Sequence, residues 1–405
     1  MILDNTKNPG GKKLQGYRQQ GHSNRLNLFL LYITAFLVFL NFTSSMTVLP
    51  LYILELGGSE FQSGLQNTLF FLAAILMRTY FGPLADIRGR KLPMLIGAAV
   101  FATAPLLFWL TSSLWGAWGI VLSRIYQAAG LAAFFSSGSS LVADMAPEGK
   151  TGAYISSYRL LMSMSLLIGP AGSLFVIRNF DYPAWFLLGI FLGLLSMASA
   201  AFIKAPFLSL EEGDSSLGRL KTVFKTKVLW QVFQGVTLTA LCIGALLTFV
   251  AIYISQVTEL ANPGIFFTFY AVAGILANLN AGRLSDRWGR QAVFWPAIII
   301  LGSGFISLLF LPGRPFIMGL SSLLTGIGAA SSISVGFAWV IDSVQENLRA
   351  TALAVLESTI DMSVAMGALL FGLTSGWIGL GTSFGIMGII VFSSGVALVI
   401  FQKKQ

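Results

Sequence analysis

From residue 28 onward the chain repeats one pattern: about twenty apolar residues, then a short polar break. The runs fall at 28–54, 61–81, 92–112, 116–143, 150–176, 183–204, 228–256, 262–282, 291–311, 315–341, 348–375 and 378–401. Each is long enough to cross a bilayer core of ~30 Å as an α-helix. The pattern therefore predicts twelve transmembrane helices, with the tightest joints between the third and fourth and between the eleventh and twelfth. The first run is too long for a signal-peptide core and lacks a small-residue cleavage site, so it reads as a retained helix. Two stretches break the pattern. Residues 1–26 form a polar, basic tail, and 205–227, "APFLSLEEGDSSLGRLKTVFKTK", forms a long polar linker. They divide the chain into six-helix halves at 27–204 and 228–401, with a short tail at 402–405.

Composition supports an integral membrane protein. Of 405 residues 55% are hydrophobic and 10% charged, where a soluble chain carries about a quarter charged residues. The net charge of +9 would suggest nucleic acid in a soluble protein. Here the alternating loops account for it. One side of the membrane receives 20 Lys and Arg, the other only Arg178 and Arg314. The positive-inside rule then puts both termini in the cytoplasm of a multi-pass cell-membrane protein, with no nucleic-acid partner. The single cysteine, Cys242, and single histidine, His22, exclude a disulfide framework and a His/Cys metal site. No metal or cofactor is expected.

Against this oily background one decapeptide occurs twice: "GPLADIRGRK" from Gly82 and "GRLSDRWGRQ" from Gly282. Gly82 and Gly89 suit a tight turn and a close helix approach. Asp86, expected at the start of the following helix, can accept from backbone N–H groups there. A second echo follows, with Asp144 answering Asp342 and Lys150 answering Arg349. Tandem duplication of a six-helix unit explains both. Parallel repeats of this kind place a substrate site between the halves near the bilayer midplane.

The decapeptide resembles the signature loop of the major facilitator superfamily, G-x-L-A-D-R-x-G-R-K. The match runs through Gly82, Leu84, Ala85, Asp86, Gly89, Arg90 and Lys91, and departs at Ile87. The second copy keeps Gly282, Asp286, Arg287, Gly289 and Arg290 and ends in Gln291. The resemblance implies an all-α fold of two pseudo-symmetric six-helix bundles, most like the twelve-helix drug:proton antiporter branch. It also implies a loop that works as a cytoplasmic latch, its aspartate meeting the N-terminal end of helix 11 in the outward-open state.

Ionisable groups inside a membrane are costly, and those that persist usually face a cavity. Arg78 lies near a helix end and reads as a snorkelling, structural group. Arg124 lies deep in helix 4, and "RIYQAAG" resembles the family pattern R-x-x-Q-G-x-G through Arg124, Gln127 and Gly130, which implies a part in proton coupling. Its rival role is a bridge between helices. Arg159 and Glu357 hold nearly equivalent places in the two halves, each about nine residues past a loop cation. They are expected to face each other across the cavity. Asp361, four residues beyond Glu357, shares its helical face. Two such carboxylates resist joint ionisation, so one can hold a proton while the other pairs with Arg159. The alternative is a static salt bridge.

Asn41, in the polar patch "NFTSSM" of helix 1, and Gln127 are the candidates for substrate contact. Gly169 and Pro170 predict a kink in helix 5; the surrounding "LLIGPAGSLF" resembles an element of antiporters. The leading expectation is a monomeric, proton-coupled exporter of a small organic compound. The alternatives are a proton symporter or facilitator for uptake, and a non-transporting receptor. No constellation of an enzyme is present, and lipid, protons and a small molecule are the expected partners.

Overall fold

The computed structural model describes residues 21–147, 151–205, 223, 226–345 and 348–402. The basic tail up to residue 20, nearly all of the 205–227 linker, Lys150 and the last three residues lie outside the described residues. Every element among the described residues is a helix. The first two are α1 (Gly21–Glu55) and α2 (Glu60–Arg88). Next come two very long stretches, Lys91–Met145 and Thr151–Phe202. At 1.5 Å per residue either would extend about 80 Å, far beyond one bilayer crossing. Each is broken by one residue. Gly116 (φ 55°, ψ −137°) separates α3 (91–115) from α4 (117–145). Asp181 (φ 71°, ψ 175°) separates α5 (151–180) from α6 (182–202). The second half comprises α7 (Lys227–Val257), α8 (Ile265–Trp288), α9 (Arg290–Leu308), α10 (Phe316–Ser343), α11 (Arg349–Ile378) and α12 (Leu380–Gln402). The twelve runs of the sequence thus correspond to twelve helices among the described residues.

Asp181 stands in a region that normally only glycine occupies, at a cost of order 1–3 kcal/mol. Its side chain is exposed. Asp181→Gly should therefore stabilise the protein by about 1 kcal/mol, less the entropy glycine adds to the unfolded chain. Thermal unfolding in detergent would show it as a raised midpoint.

The helix ends depart from expectation at one repeated place. α2 and α8 do not stop before the decapeptides; they run through them to Arg88 and Trp288. The turn in each half pivots on a glycine at positive φ, Gly89 (φ 82°, ψ 154°) and Gly289 (φ 91°, ψ 150°), the same conformation in both. Asp86 therefore sits in the last turn of α2, not at the start of α3. Around Gly82 and Gly282 a side chain would meet only open space, so neither serves a close helix approach here.

The loops carrying Gly89 and Gly289 define one face of the bundle, called here the basic face. The halves meet along α2–α11, α5–α8 and α1–α7. Contact is tightest toward the opposite face. A Cβ on Gly64 would lie 2.4 Å from the Ala368 carbonyl oxygen, and one on Gly372 2.9 Å from that of Glu60. Thr68 donates to the Ala365 carbonyl (2.9 Å) and Asn67 to Thr248 (2.8 Å). On the other flank Asn262 donates to Ala171 (2.8 Å) and Thr268 to Leu167 (3.2 Å). Small residues and backbone acceptors let helices approach this closely without a hydrophobic driving force. The opposite face is closed.

Candidate functional site

Toward the basic face the junction between halves changes character, from backbone contact to ion pairs. Arg159 on α5 reaches Glu357 on α11 at 3.8 Å, and its guanidinium lies 4.9 Å from the Phe337 ring on α10. Both partners belong to the other half. The Arg159 and Glu357 side chains are 54% and 53% exposed, so the space they share lies between the halves. The facing of these two residues follows the expectation from their repeat positions. Asp361 is different. It is paired with Arg78 of α2, again across the halves, and the two side chains are 17% and 24% exposed. This corrects two readings. Arg78 does not snorkel to a helix end, because Asp361, one turn deeper than Glu357, offers a nearer counter-charge. Nor do the two carboxylates share one arginine; each has its own.

Arg124 is wholly buried and its partners are neutral. Its guanidinium donates to the Gln127 side-chain oxygen, to Asn67 Oδ1 (2.7 Å) and to Met46 Sδ (3.0 Å), and lies 4.0 Å from the Phe70 centroid. Gln127 Nε2 donates to Ser45 (3.2 Å). Gln127 is thus part of the arginine's cage and is fully buried in this conformation. Asn41 also departs from expectation. Its amide donates to the Phe101 (3.2 Å) and Gly189 (3.0 Å) carbonyls, tying α1 to α3 and α6 from a buried position. A polar patch on a helix satisfies backbone acceptors as readily as it lines a cavity, and periodicity does not separate the two.

α5 passes Gly169 and Pro170 with helical dihedrals, its interruption coming at Asp181. The pair also brings neighbouring helices close. A Cβ on Gly169 would lie 2.4 Å from Thr43 Oγ1 of α1, and Pro170 packs its carbonyl against Gly264 of the other half.

The signature loops have a partner the sequence echo pointed toward without naming. Arg90 pairs with Asp144 at the end of α4, and also donates to the Ser140 carbonyl (2.5 Å). Its counterpart Arg290 donates to Asp342 at the end of α10 (2.7 Å), to Ser285 (2.7 Å), and pairs with Asp286 at 2.5 Å. Each half thus pins its loop arginine to the aspartate at position 144 or 342. Lys91 donates to the Ala201 carbonyl (2.9 Å), and Arg287 is exposed. Asp286 is held within its own loop; the side chain of Asp86 lies outside the described set. Trp288, Arg290, Pro296, Trp339, Asp342 and Val399 line a cavity of about 700 Å³ beside the second loop.

Comparison with known proteins agrees with this fold. The family model described as Major Facilitator Superfamily matches residues 31–266 and 258–405. The chain is 27% identical over 332 residues to a "Multi-drug resistance efflux pump PmrA homolog" of Lactococcus lactis, covering 75% of this chain and 77% of that one. It is 22% identical over 388 residues to "Multidrug resistance protein MdtG" of Citrobacter koseri, covering 92% of each. Among solved structures, the nucleoside transporter NupG superposes with a TM-score of 0.76 at 15% identity, covering 92% of this chain and 99% of that one. A bacterial homologue of the lysosomal transporter Spinster, in an inward-facing and unoccupied conformation, gives 0.74 at 16% identity, covering 94% and 95%. The family match runs through both halves, and the chain, a multi-pass membrane transporter, belongs to the Major Facilitator Superfamily.

Proposed function

We propose that the protein is a proton-coupled antiporter that exports a small, partly apolar organic compound by alternating access. The observation that carries the reading is the double ion pair between halves, Arg78–Asp361 and Arg159–Glu357. Both join the moving parts of a rocking carrier, and both carboxylates lie on one face of α11, deep in the membrane. Neutralising a carboxylate with a proton removes its attraction for the arginine, so proton binding and the position of the halves are linked. The multidrug efflux names of the sequence relatives support export.

The positive-inside rule puts the basic face and both termini in the cytoplasm of the cell membrane, with the linker on the same side. The described conformation, closed at the opposite face, is then inward-facing, with the carboxylates ion-paired after proton release. An organic substrate enters from the cytoplasm and displaces these pairs. The carrier turns outward and protons from outside return it. Arg124 serves the coupling from within the first half. One chain contains both halves and works as a monomer in lipid.

The test is the direction of proton movement. In proteoliposomes loaded with a pH-sensitive dye, a transported compound added on the cytoplasmic side should drive protons out of the compartment it enters. Protons entering together with the compound would mean symport, and flux without proton movement would mean facilitation.

A further inference from the structure

The buried Arg124 is separated from the ion pairs and has no acidic partner among its contacts, yet one of those contacts continues into the other half. Asn67 uses both ends of its amide. Its Oδ1 accepts from Arg124 (2.7 Å) and its Nδ2 donates to Thr248 Oγ1 of α7 (2.8 Å). Thr248 in turn donates to the Gly244 carbonyl (2.8 Å). Asn67 and Arg124 are completely buried and Thr248 is 1% exposed.

We propose that Asn67 and Thr248 form the link by which Arg124 senses closure of the opposite face. The polarity of the amide is the reason. A guanidinium only donates, so it holds Asn67 with its oxygen toward α4, which leaves the amide nitrogen directed at α7. The neighbouring residue, Thr68, donates to Ala365, and Gly64 touches Ala368 one turn away. Asn67 therefore sits on the segment of α2 that must leave the second half when the opposite face opens. Opening breaks the Asn67–Thr248 bond and brings water within one side chain of the guanidinium. The same chain, Thr248–Asn67–Arg124–Gln127–Ser45, passes the change on to α1. The inference rests on the alternating-access reading above and names the residues that carry its signal; it makes Asn67 and Thr248 positioning residues.

The experiment reads conformation, not transport. In a Cys242→Ser background, spin labels at N179C and E259C lie on exposed positions of opposite halves at the opposite face. Pulsed electron–electron resonance then gives the open fraction without substrate or proton gradient. Thr248→Val keeps the shape and removes the hydroxyl; it should raise the open fraction roughly 2- to 10-fold, the worth of one buried hydrogen bond. Thr248→Ala should do the same. Thr248→Ser should restore the parental distribution. In an Arg124→Met background, where nothing orients the amide, Thr248→Val should change the open fraction less than twofold; Arg124→Leu, which also lacks a donor, replaces that background if the Met variant fails to assemble. No shift with Val or Ala, an equal shift with Ser, or an undiminished shift without Arg124 would each overturn the proposal. Proton flux measured separately tests the antiport reading, so either can fail alone.

Discussion

Asp361→Asn should lower transport driven by a pH gradient at least tenfold while leaving substrate exchange across equal pH within a few-fold of the parent. Asparagine has the shape of the aspartate and still accepts from Arg78, but it neither takes up nor gives off a proton. The coupled step is lost and the rocking step is kept. Removing one charge of a largely buried pair also leaves Arg78 uncompensated, which destabilises a fold. The Arg78→Gln, Asp361→Asn double variant removes that cost and should recover stability without recovering pH-driven transport. Glu357→Gln should give a smaller loss, because Glu357 and Arg159 are half exposed and water screens their 3.8 Å pair. Flux into proteoliposomes at matched and unmatched pH checks all three. Full pH-driven transport by Asp361→Asn would remove this carboxylate from the coupling.

The sequence carried the architecture well and the wiring poorly, for a physical reason. Bilayer thickness sets helix length, so runs of apolar residues map directly onto crossings, and the loop charges repeat because the halves do. The joint at Gly116 was legible as one of the two tightest; Asp181 was not, since nothing about an aspartate announces a left-handed backbone. The facing of Arg159 and Glu357 followed from equivalent positions in two repeats. The partner of Asp361 did not, because Arg78 reaches it from a helix that periodicity places in the other half, and the choice between snorkelling and pairing depends on how close two bundles stand. Asn41 and Gln127 show the same limit. Their amides are polar in an apolar context, which signals a partner without saying whether it is substrate, backbone or a buried arginine. The loop arginines Arg90 and Arg290 came with their counter-charges already noticed as an echo, Asp144 and Asp342, and only the geometry joins them.

Gly64→Val should trap the carrier with its opposite face open and lower transport at least tenfold. Gly64 carries no chemistry and belongs to no motif, but it lies where α2 crosses α11. A Cβ there falls 2.4 Å from the Ala368 carbonyl oxygen, about 1 Å inside ordinary contact, with the Phe249 ring at 3.4 Å behind it. The obstacle is backbone on the partner helix, not the tip of a flexible side chain, so relief requires the helices to separate. Overpacking of this kind costs about 1–3 kcal/mol, and in a two-state carrier that cost falls on the closed opposite face alone. The population shifts toward the other state by roughly five- to hundredfold. The Asn179/Glu259 label pair should lengthen accordingly, and turnover should fall as the inward-facing state is depopulated. Gly376 on the same helix as Ala368 supplies the control, since a Cβ added there meets nothing within 4 Å. Gly376→Ala should leave both distance and transport near the parent. If Gly64→Val transports normally, contact between α2 and α11 is not required in the cycle, and alternating access through this junction fails with it.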